Sequence, residues 1–544
     1  MRNASIAERI KTLPPEILNY IKELEAGYNR LETNYRHLQF ENTVLEEKLK
    51  LLTYKRFARS AEQLLADNNQ QNLFNEENSE DNQDAESKET EAEETTEVKA
   101  HKRRKNPNAG RKPLDPKLPR VKRIIDLDAA LKTCACGHEL SKIGEETSEK
   151  LHIIPMQIYV EQIVRPKYAC RHCEGTSDED SPAVKIAPVE AAIIPKGIAT
   201  PGLLSCVFTQ KFEDHLPYYR QEKQFERLGA ALSRQDMVNW QRQVYKKVKP
   251  LLALMKEILK IGPVIRMDET PVQVFREEAR SDISESRMWL SLGGLPDKPV
   301  VMYQYRKTRA AEHAKEILEG FSGYLQTDGY KGYDSALKDN DKIIHVGCFA
   351  HARRYFFEAA KISNKATTAK EGIERIKKLY VIEAGLRKKY AQEEKDDDES
   401  ANKKIKDFLV ERKALCQPVL AEFNAWLKIL ENEVPPKTLL GEAVGYSLGQ
   451  WEKLARYLDS PYLTPDNNAA ENAIRPFVMG RKAWLFCQSP DGAESSCGMY
   501  SLIQTAKLNG VNTYQYLKTL FEKVPAASST EDWENLLPWN IFKS

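Results

Sequence analysis

Three carboxylates in this 544-residue chain sit where chemistry on a phosphodiester would need them. Asp268 ends the largely apolar run Val264-Ile265-Arg266-Met267. Asp328 follows Gly323-Tyr324-Leu325-Gln326-Thr327, and Glu471 lies within Asp466-Asn467-Asn468-Ala469-Ala470-Glu471-Asn472. Magnesium prefers carboxylate oxygens and water. Two such ions about 3.5–4 Å apart activate an attacking hydroxyl and stabilise the leaving oxygen of an in-line displacement at phosphorus. The expected cofactor is therefore a pair of Mg2+ ions, with Mn2+ as the substitute, held by Asp268, Asp328 and Glu471. The chain carries 80 acidic residues, so spacing alone leaves Glu269, Asp334 and Glu494 as competing ligands.

Positioning the first two acids requires a sheet. Apolar and β-branched runs predict strands at Val264–Val274, Met288–Gly293, Val300–Tyr305, Tyr324–Thr327 and Lys342–Val346, with a helix at Ala310–Glu319 before the fourth strand. Three strands, a helix and another strand is the order of an RNase H-like α/β core. There an acid in the first strand and one ending the fourth lie on neighbouring strands, ~4.8 Å apart. The third acid arrives from a helix: Thr464 as N-cap and Pro465 at the first position predict helix over 466–475, with Pro476 kinking or ending it. Asn467, Asn468, Arg475, Arg481 and Lys482 would then offer amide and cationic donors to a phosphate. Between the second and third acids, residues 359–458 are Lys- and Glu-rich and helical, with a loop at Asp396–Glu399, as an inserted α domain would be. His345, Cys348 and His351 have zinc-like intervals, but an extended strand puts Cys348 on the face opposite the two histidines, so a packed Cys348 and a phosphate- or acid-facing histidine is the simpler expectation.

Upstream, Ile21, Leu24, Tyr28, Leu31, Tyr35, Leu38, Leu45, Leu49 and Leu52 form a heptad seam interrupted by Asn42, a pattern that predicts a coiled coil and self-association as a parallel dimer; a helix folding back on its own chain is the alternative. An acidic low-complexity stretch and the basic run His101-Lys102-Arg103-Arg104-Lys105 then read as a disordered linker. Cys134-Ala135-Cys136 and Cys170-Arg171-His172-Cys173 bracket strand-like segments around Leu151–Ile154 and Tyr159–Val164. Two close thiol pairs across a hairpin predict structural zinc held by Cys134, Cys136, Cys170 and Cys173, although the first pair is one residue short of C-x-x-C, so His138 or His172 could replace a thiolate. A helix at Pro217–Leu228, a turn at Gly229–Leu232 and Ser233 as the cap of a second helix resemble a helix-turn-helix whose Arg234, Gln235, Asn239 and Arg242 would face DNA; simple helix packing explains the pattern equally well.

The formal charge of +2, from 82 Lys+Arg against 80 Asp+Glu, hides these opposed blocks. Nine cysteines in so long a chain do not form a secreted disulfide framework. The amino terminus has no signal-like apolar core, and Lys256 and Glu257 interrupt the apolar stretch Leu251–Leu259, so a soluble cytoplasmic protein without membrane contact is expected, nucleoid-associated when bound to DNA.

Several segments in order resemble bacterial transposases of the insertion sequence 66 family. They are Cys170-Arg171-His172-Cys173-Glu174, Asp214 through Glu222, Thr327-Asp328-Gly329-Tyr330, Gly347-Cys348-Phe349-Ala350-His351-Ala352-Arg353-Arg354, Asp466-Asn467-Asn468 through Glu471, Ile474-Arg475-Pro476, Gly480-Arg481-Lys482 and Thr505 through Gly510. The resemblance implies a DDE transposase that binds the terminal inverted repeats of its element, cuts there and joins 3′ ends to target DNA, with accessory proteins from the same element. Its catalytic acids would be Asp268, Asp328 and Glu471. The family's usual first thiol pair is C-x-x-C, from which Cys134 and Cys136 depart. The expected fold is multidomain α+β: coiled coil 15–60, linker 61–112, zinc-binding segment 117–188, helical DNA-binding segment 189–258, catalytic core 259–358, helical insertion 359–458, returning core 459–510 and helical tail 511–544. A non-catalytic DNA-binding or assembly protein and a purely hydrolytic nuclease are the alternatives.

Overall fold

The computed structural model describes residues 14–57, 120–122, 150–151, 156–169, 184–362, 366–391 and 398–542. The acidic and basic linker blocks and all four candidate zinc thiols lie outside these residues. The chain divides into two units, residues 79–163 and the remainder. In the smaller unit, 156–163 has no regular structure, so the strand expected to begin at Tyr159 is absent there. The larger unit is a mixed α+β body.

That larger unit opens with α1 (Pro15–Phe57), one helix of 43 residues. The hairpin expected near the thiols is instead made by β1 (Lys167–Ala169) and β2 (Val184–Ile186), paired antiparallel. Three helices follow: α2 (Pro201–Phe212), α3 (Tyr218–Arg227) and α4 (Arg234–Leu259). Ser233 caps α4 through a reciprocal capping box with Asp236, as a Ser-x-x-acid start dictates. The helix then runs well past Val244 and through Pro250.

The sheet contains β3 (Val264–Val274), β4 (Glu285–Leu295), β5 (Lys298–Arg306), β6 (Gly323–Gln326) and β7 (Ile343–Val346), with α5 (Ala311–Leu318) and α6 (Lys331–Leu337) on the connections. Its order is β5-β4-β3-β6-β7, the first three antiparallel and β3, β6 and β7 parallel. Gly323 opens β6 at φ 139°, where a Cβ would stand 2.6 Å from the Pro263 carbonyl oxygen. Glycine therefore lets β6 approach β3 closely, and the N–H of Tyr324 donates to that carbonyl at 3.0 Å.

After the sheet come α7 (Phe349–Ile362), α8 (Ala366–Lys389), α9 (Asp398–Glu433), α10 (Leu439–Gly449) and the short α11 (Trp451–Ala455). Asp398 and Glu399, expected in a loop, start α9. These helices share one apolar core, in which Phe356, Phe423, Leu427 and Tyr457 meet Val264 and Val346 of the sheet. The insertion is thus continuous with the sheet's core, and its first helix begins ten residues earlier than residue 359.

The chain returns through α12 (Asn468–Trp484), β8 (Phe486–Cys487), α13 (Pro490–Leu508), α14 (Thr513–Lys523) and α15 (Thr530–Asn535). β8 pairs with the far end of β3. Helix α13 covers the β5 edge of the sheet, with Ser501 Oγ accepting from Tyr303 N–H at 2.9 Å and Thr505 Oγ1 from Val301 N–H at 3.0 Å. Edge N–H groups that would otherwise invite strand pairing are thereby satisfied.

Candidate active site

Register fixes the first pair of acids. β3 and β6 pair as Val264–Tyr324, Ile265–Leu325 and Arg266–Gln326; carrying that offset two residues further sets Asp268 across from Asp328. Each carboxylate is also oriented locally. Asp268 Oδ1 accepts from the N–H of Glu269 at 2.9 Å, and Asp328 Oδ1 accepts from that of Tyr330 at 3.0 Å.

Glu471 occupies the first turn of α12. This helix starts at Asn468 rather than Asp466 because the polar residues before it turn inward. Thr464 Oγ1 donates to the Asp466 carbonyl at 2.7 Å, and Asp466 Oδ1 accepts from Asn468 N–H at 3.1 Å. The helix then continues through Pro476, beyond its expected end. Tyr303 OH donates to the carbonyl of Ala473, three residues before that proline. Asn467 fastens the helix to the sheet: its side-chain NH2 donates to the Met267 carbonyl at 2.9 Å, one residue before Asp268. Its backbone N–H points at Cys348 Sγ at 3.2 Å, and Phe349 N–H donates to the Pro465 carbonyl at 2.9 Å.

The three acids converge electrostatically. Burial, then the like charges of Glu269, Glu471 and Asp328, push the Asp268 carboxyl up to about 8. Burial also raises Glu471; Asp466 and Asp328 raise it further, while the guanidiniums of Arg354 and Arg475 oppose them. Oxygen donors crowded at low dielectric are the donor set that divalent cations fit.

The competing acids have other partners. Glu269 is bound by Arg309 and by Tyr333 OH, and Arg309 also stands 3.8 Å from Asp328 Oδ2. His345 Nδ1 and Lys453 grip Asp334, holding its carboxyl down to about 2. Glu494 is exposed on α13. His345 also faces Thr327 Oγ1 through Nε2 at 2.8 Å, so it does not join Cys348 and His351. Those two meet Glu471 instead, with donor atoms of all three within 4.8 Å of one another. His351 Nδ1 lies 3.7 Å from Glu471 Oε1, and burial together with Arg354 pushes the imidazole down to about 4.

Of the neighbours of the acids, His351 fits the expected acid-facing histidine, whereas its helical partner Arg354, and Arg309, were missed. A signal for Arg354 exists in the i, i+3 spacing His351-x-x-Arg354, legible only once 349 onward is read as helix rather than extended strand.

The expected DNA donors divide. Arg234, Gln235 and Asn239 are exposed on α4, whereas Arg242 is half-buried and donates to Ser489 Oγ at 2.8 Å. The other face of α4, with Met237, Trp240 and Val244, is buried, and Gln241 bonds Ser495 Oγ of α13 at 2.7 Å. The helix pair is therefore built into the body rather than standing alone. Asn467, expected to contact substrate, is buried and serves as scaffold. Asn468 Nδ2 donates to Asp466 Oδ2 at 2.9 Å, Arg475 is half-buried beside Glu471, Arg481 donates to Thr270 Oγ1 at 3.1 Å, and Lys482 is exposed.

Residues 196–495, more than half of the chain and the whole span of the three acids, match the family described as "Transposase IS66 family". The chain belongs to the IS66 transposase family. Two flanking matches agree: the "IS66 C-terminal element" at 501–539, and the "zinc-finger binding domain of transposase IS66" at 132–174, which includes Cys134, Cys136, Cys170 and Cys173 and supports a structural zinc. Residues 44–123 match "Transposase C of IS166 homeodomain", a description that supports DNA as a partner and overlaps the end of α1. Similar proteins include the uncharacterized proteins y4jD and y4qI of Sinorhizobium fredii (strain NBRC 101917 / NGR234). The first is 31% identical over 78% of this chain and 80% of its own length, and the second 30% identical over 78% and 76%. An IS66 transposase needs no membrane span, and no described helix is long and apolar enough to make one.

Proposed function

We propose that this transposase cuts DNA at the terminal inverted repeats of its element and joins the 3′ ends to target DNA, using Asp268, Asp328 and Glu471 on an RNase H-like core. The observation that carries the reading is that these three carboxylates stand close enough to act on one another's charge. Two come from adjacent parallel strands and one from a helix pinned to the first strand through Asn467. Strand order β5-β4-β3-β6-β7, with three antiparallel strands and then parallel ones, supports that core.

Bound Mg2+ or Mn2+ would activate the attacking hydroxyl and stabilise the leaving oxygen. The chain's own groups do the positioning. Asp268 and Asp328 present oxygens from a rigid sheet, and Glu471 closes the set from α12. Arg354 and Arg475, cations beside Glu471, suit the phosphates flanking the scissile bond. Arg309, bound to Glu269, holds positive charge next to Asp328. Arg234, Gln235 and Asn239 form an exposed polar edge on α4 for duplex contact, with Lys482 a further exposed cation on α12. Cys134, Cys136, Cys170 and Cys173 hold zinc in the finger, α1 pairs with a second copy, and proteins of the same element assist.

Incubating the protein with labelled terminal repeats, a target plasmid, Mg2+ and the element's accessory proteins tests this. Joined products are expected. Cleavage without joining would replace strand transfer by hydrolysis, and binding without cleavage would leave a DNA-binding assembly protein.

A further inference from the structure

The turn between β7 and α7 places Cys348 immediately before the helix and His351 in its first turn, beside the start of α12. Cys348 is fully buried, and its sulfur faces the backbone N–H groups of Asn467 and His351. Its sulfur thereby fastens the start of α7 to the segment before α12. His351 differs. Its Nδ1 is buried without a hydrogen-bond partner and lies 3.7 Å from Glu471 Oε1.

That separation is too long for a hydrogen bond. It suits two ligands of one ion, since donors each roughly 2.0–2.2 Å from a metal stand about 3–4 Å apart. The alternative, a protonated imidazole paired with Glu471, would close that gap to about 2.7–2.9 Å. The same ring nitrogen is turned toward Glu471 in the first turn of α12.

We propose that His351 is a fourth metal ligand of this active site, adding an imidazole nitrogen to the Glu471 side of the Asp268, Asp328 and Glu471 set. This rests on the reading of those acids as a divalent-metal site. Magnesium favours oxygen ligands and keeps its waters, whereas imidazole favours transition ions. A nitrogen donor therefore biases the Glu471 side toward Mn2+ over Mg2+.

The test titrates Mn2+ into the full-length, zinc-loaded protein and reads pulsed electron paramagnetic resonance. Wild-type protein should show a nitrogen hyperfine coupling on bound manganese that changes with 15N-histidine labelling. His351→Asn should lose the coupling and bind Mn2+ about tenfold or more weakly, with a smaller change for Mg2+. Manganese that binds wild type, is lost in Asp268→Asn and carries no nitrogen coupling would overturn the His351 ligand while leaving the acid site standing. Manganese binding unchanged in Asp268→Asn, Asp328→Asn and Glu471→Gln would overturn both. The wild-type spectrum decides even where a variant folds poorly.

Discussion

An aspartate that burial and three neighbouring carboxylates push up to about 8 keeps a proton that the unfolded chain releases near 4. Between those two pH values the native state binds more protons than the unfolded state, so this group's contribution to stability falls as pH rises. Asp268→Asn removes the term. In buffer without added divalent ions, the variant's stability advantage over wild type is expected to widen from about pH 4 to about pH 8 and then level off, as read by urea melts across that range. Adding Mg2+ should favour wild type, because the ion binds only where the carboxylate is present. The same substitution, like Asp328→Asn and Glu471→Gln, is expected to abolish cleavage of labelled ends while gel shifts still report repeat binding. Retained cleavage in any one would remove that residue from the site. At this scale the sequence was half legible. Spacing alone left Glu269 competing with Asp268, and the structure gives Glu269 to Arg309 and Tyr333. Arg354 was hidden because Val346-Gly347-Cys348-Phe349-Ala350 reads as a continuing strand, whereas β7 stops at Val346 and α7 starts at Phe349.

Elements deliver Glu471 as much as the residue itself does. The return segment before α12 is held by cations from the insertion and the sheet. Arg412, fully buried, donates to the carbonyls of Ser460 at 2.9 Å and Leu463 at 2.8 Å while pairing with Glu383 at 2.9 Å. Arg387 adds a bond to Leu463 O at 2.8 Å; Arg266 reaches Tyr462 O at 2.7 Å and Gln326 reaches Thr464 O at 2.7 Å. The insertion thus acts as a clamp on the path into the catalytic helix. Removing one member of a buried ion pair typically costs about 3–5 kcal/mol, because the other charge is left unpaired. Arg412→Met is expected to cost somewhat less in denaturant melts, because Glu383 keeps its 2.8 Å pair with Arg387. An unchanged melt for Arg412→Met would show that the clamp contributes nothing. The five strands β3 to β7 were legible to within three residues at either end, since period-two patterns and glycine punctuation are local signals, whereas β1, β2 and β8 were not. The start of α12 was not: Thr464-Pro465 has the form of a cap, but Thr464 and Asp466 spend their oxygens on nearby backbone, and only tertiary contacts from Asn467 decide where the helix begins.

For the whole molecule, α1 shows how one helix can serve two surfaces. Val44 and Glu47 are buried, Leu51 packs on the insertion's core, and Glu47 Oε2 accepts from the N–H of Leu439 at 3.1 Å, at the start of α10. The heptad seam lies on the other side: Leu31, Leu38, Leu45 and Leu52 are 58–68% exposed, as are Tyr28 and Tyr35. The sequence offered two readings of this helix, pairing with a second copy or folding back on its own chain. Its two faces allow both, because c- and f-type positions dock while a- and d-type positions stay open. A row of large apolar side chains in water is unfavourable by roughly 25 cal/mol per Å2, so a partner helix along the seam is the expected occupant. Wild-type protein should therefore sediment as a dimer at micromolar concentration. Leu31→Asp with Leu38→Asp should give a monomer whose melt of the catalytic body is unchanged, whereas Glu47→Ala should leave the dimer intact and lower the stability of the α1–α10 contact. A monomeric wild type, or a dimer indifferent to both seam substitutions, would return α1 to a purely intramolecular role. The distinction bears on transposition directly: a parallel pair of α1 helices, each fixed to its own insertion by Glu47, would carry two active sites into one complex, one for each end of the element.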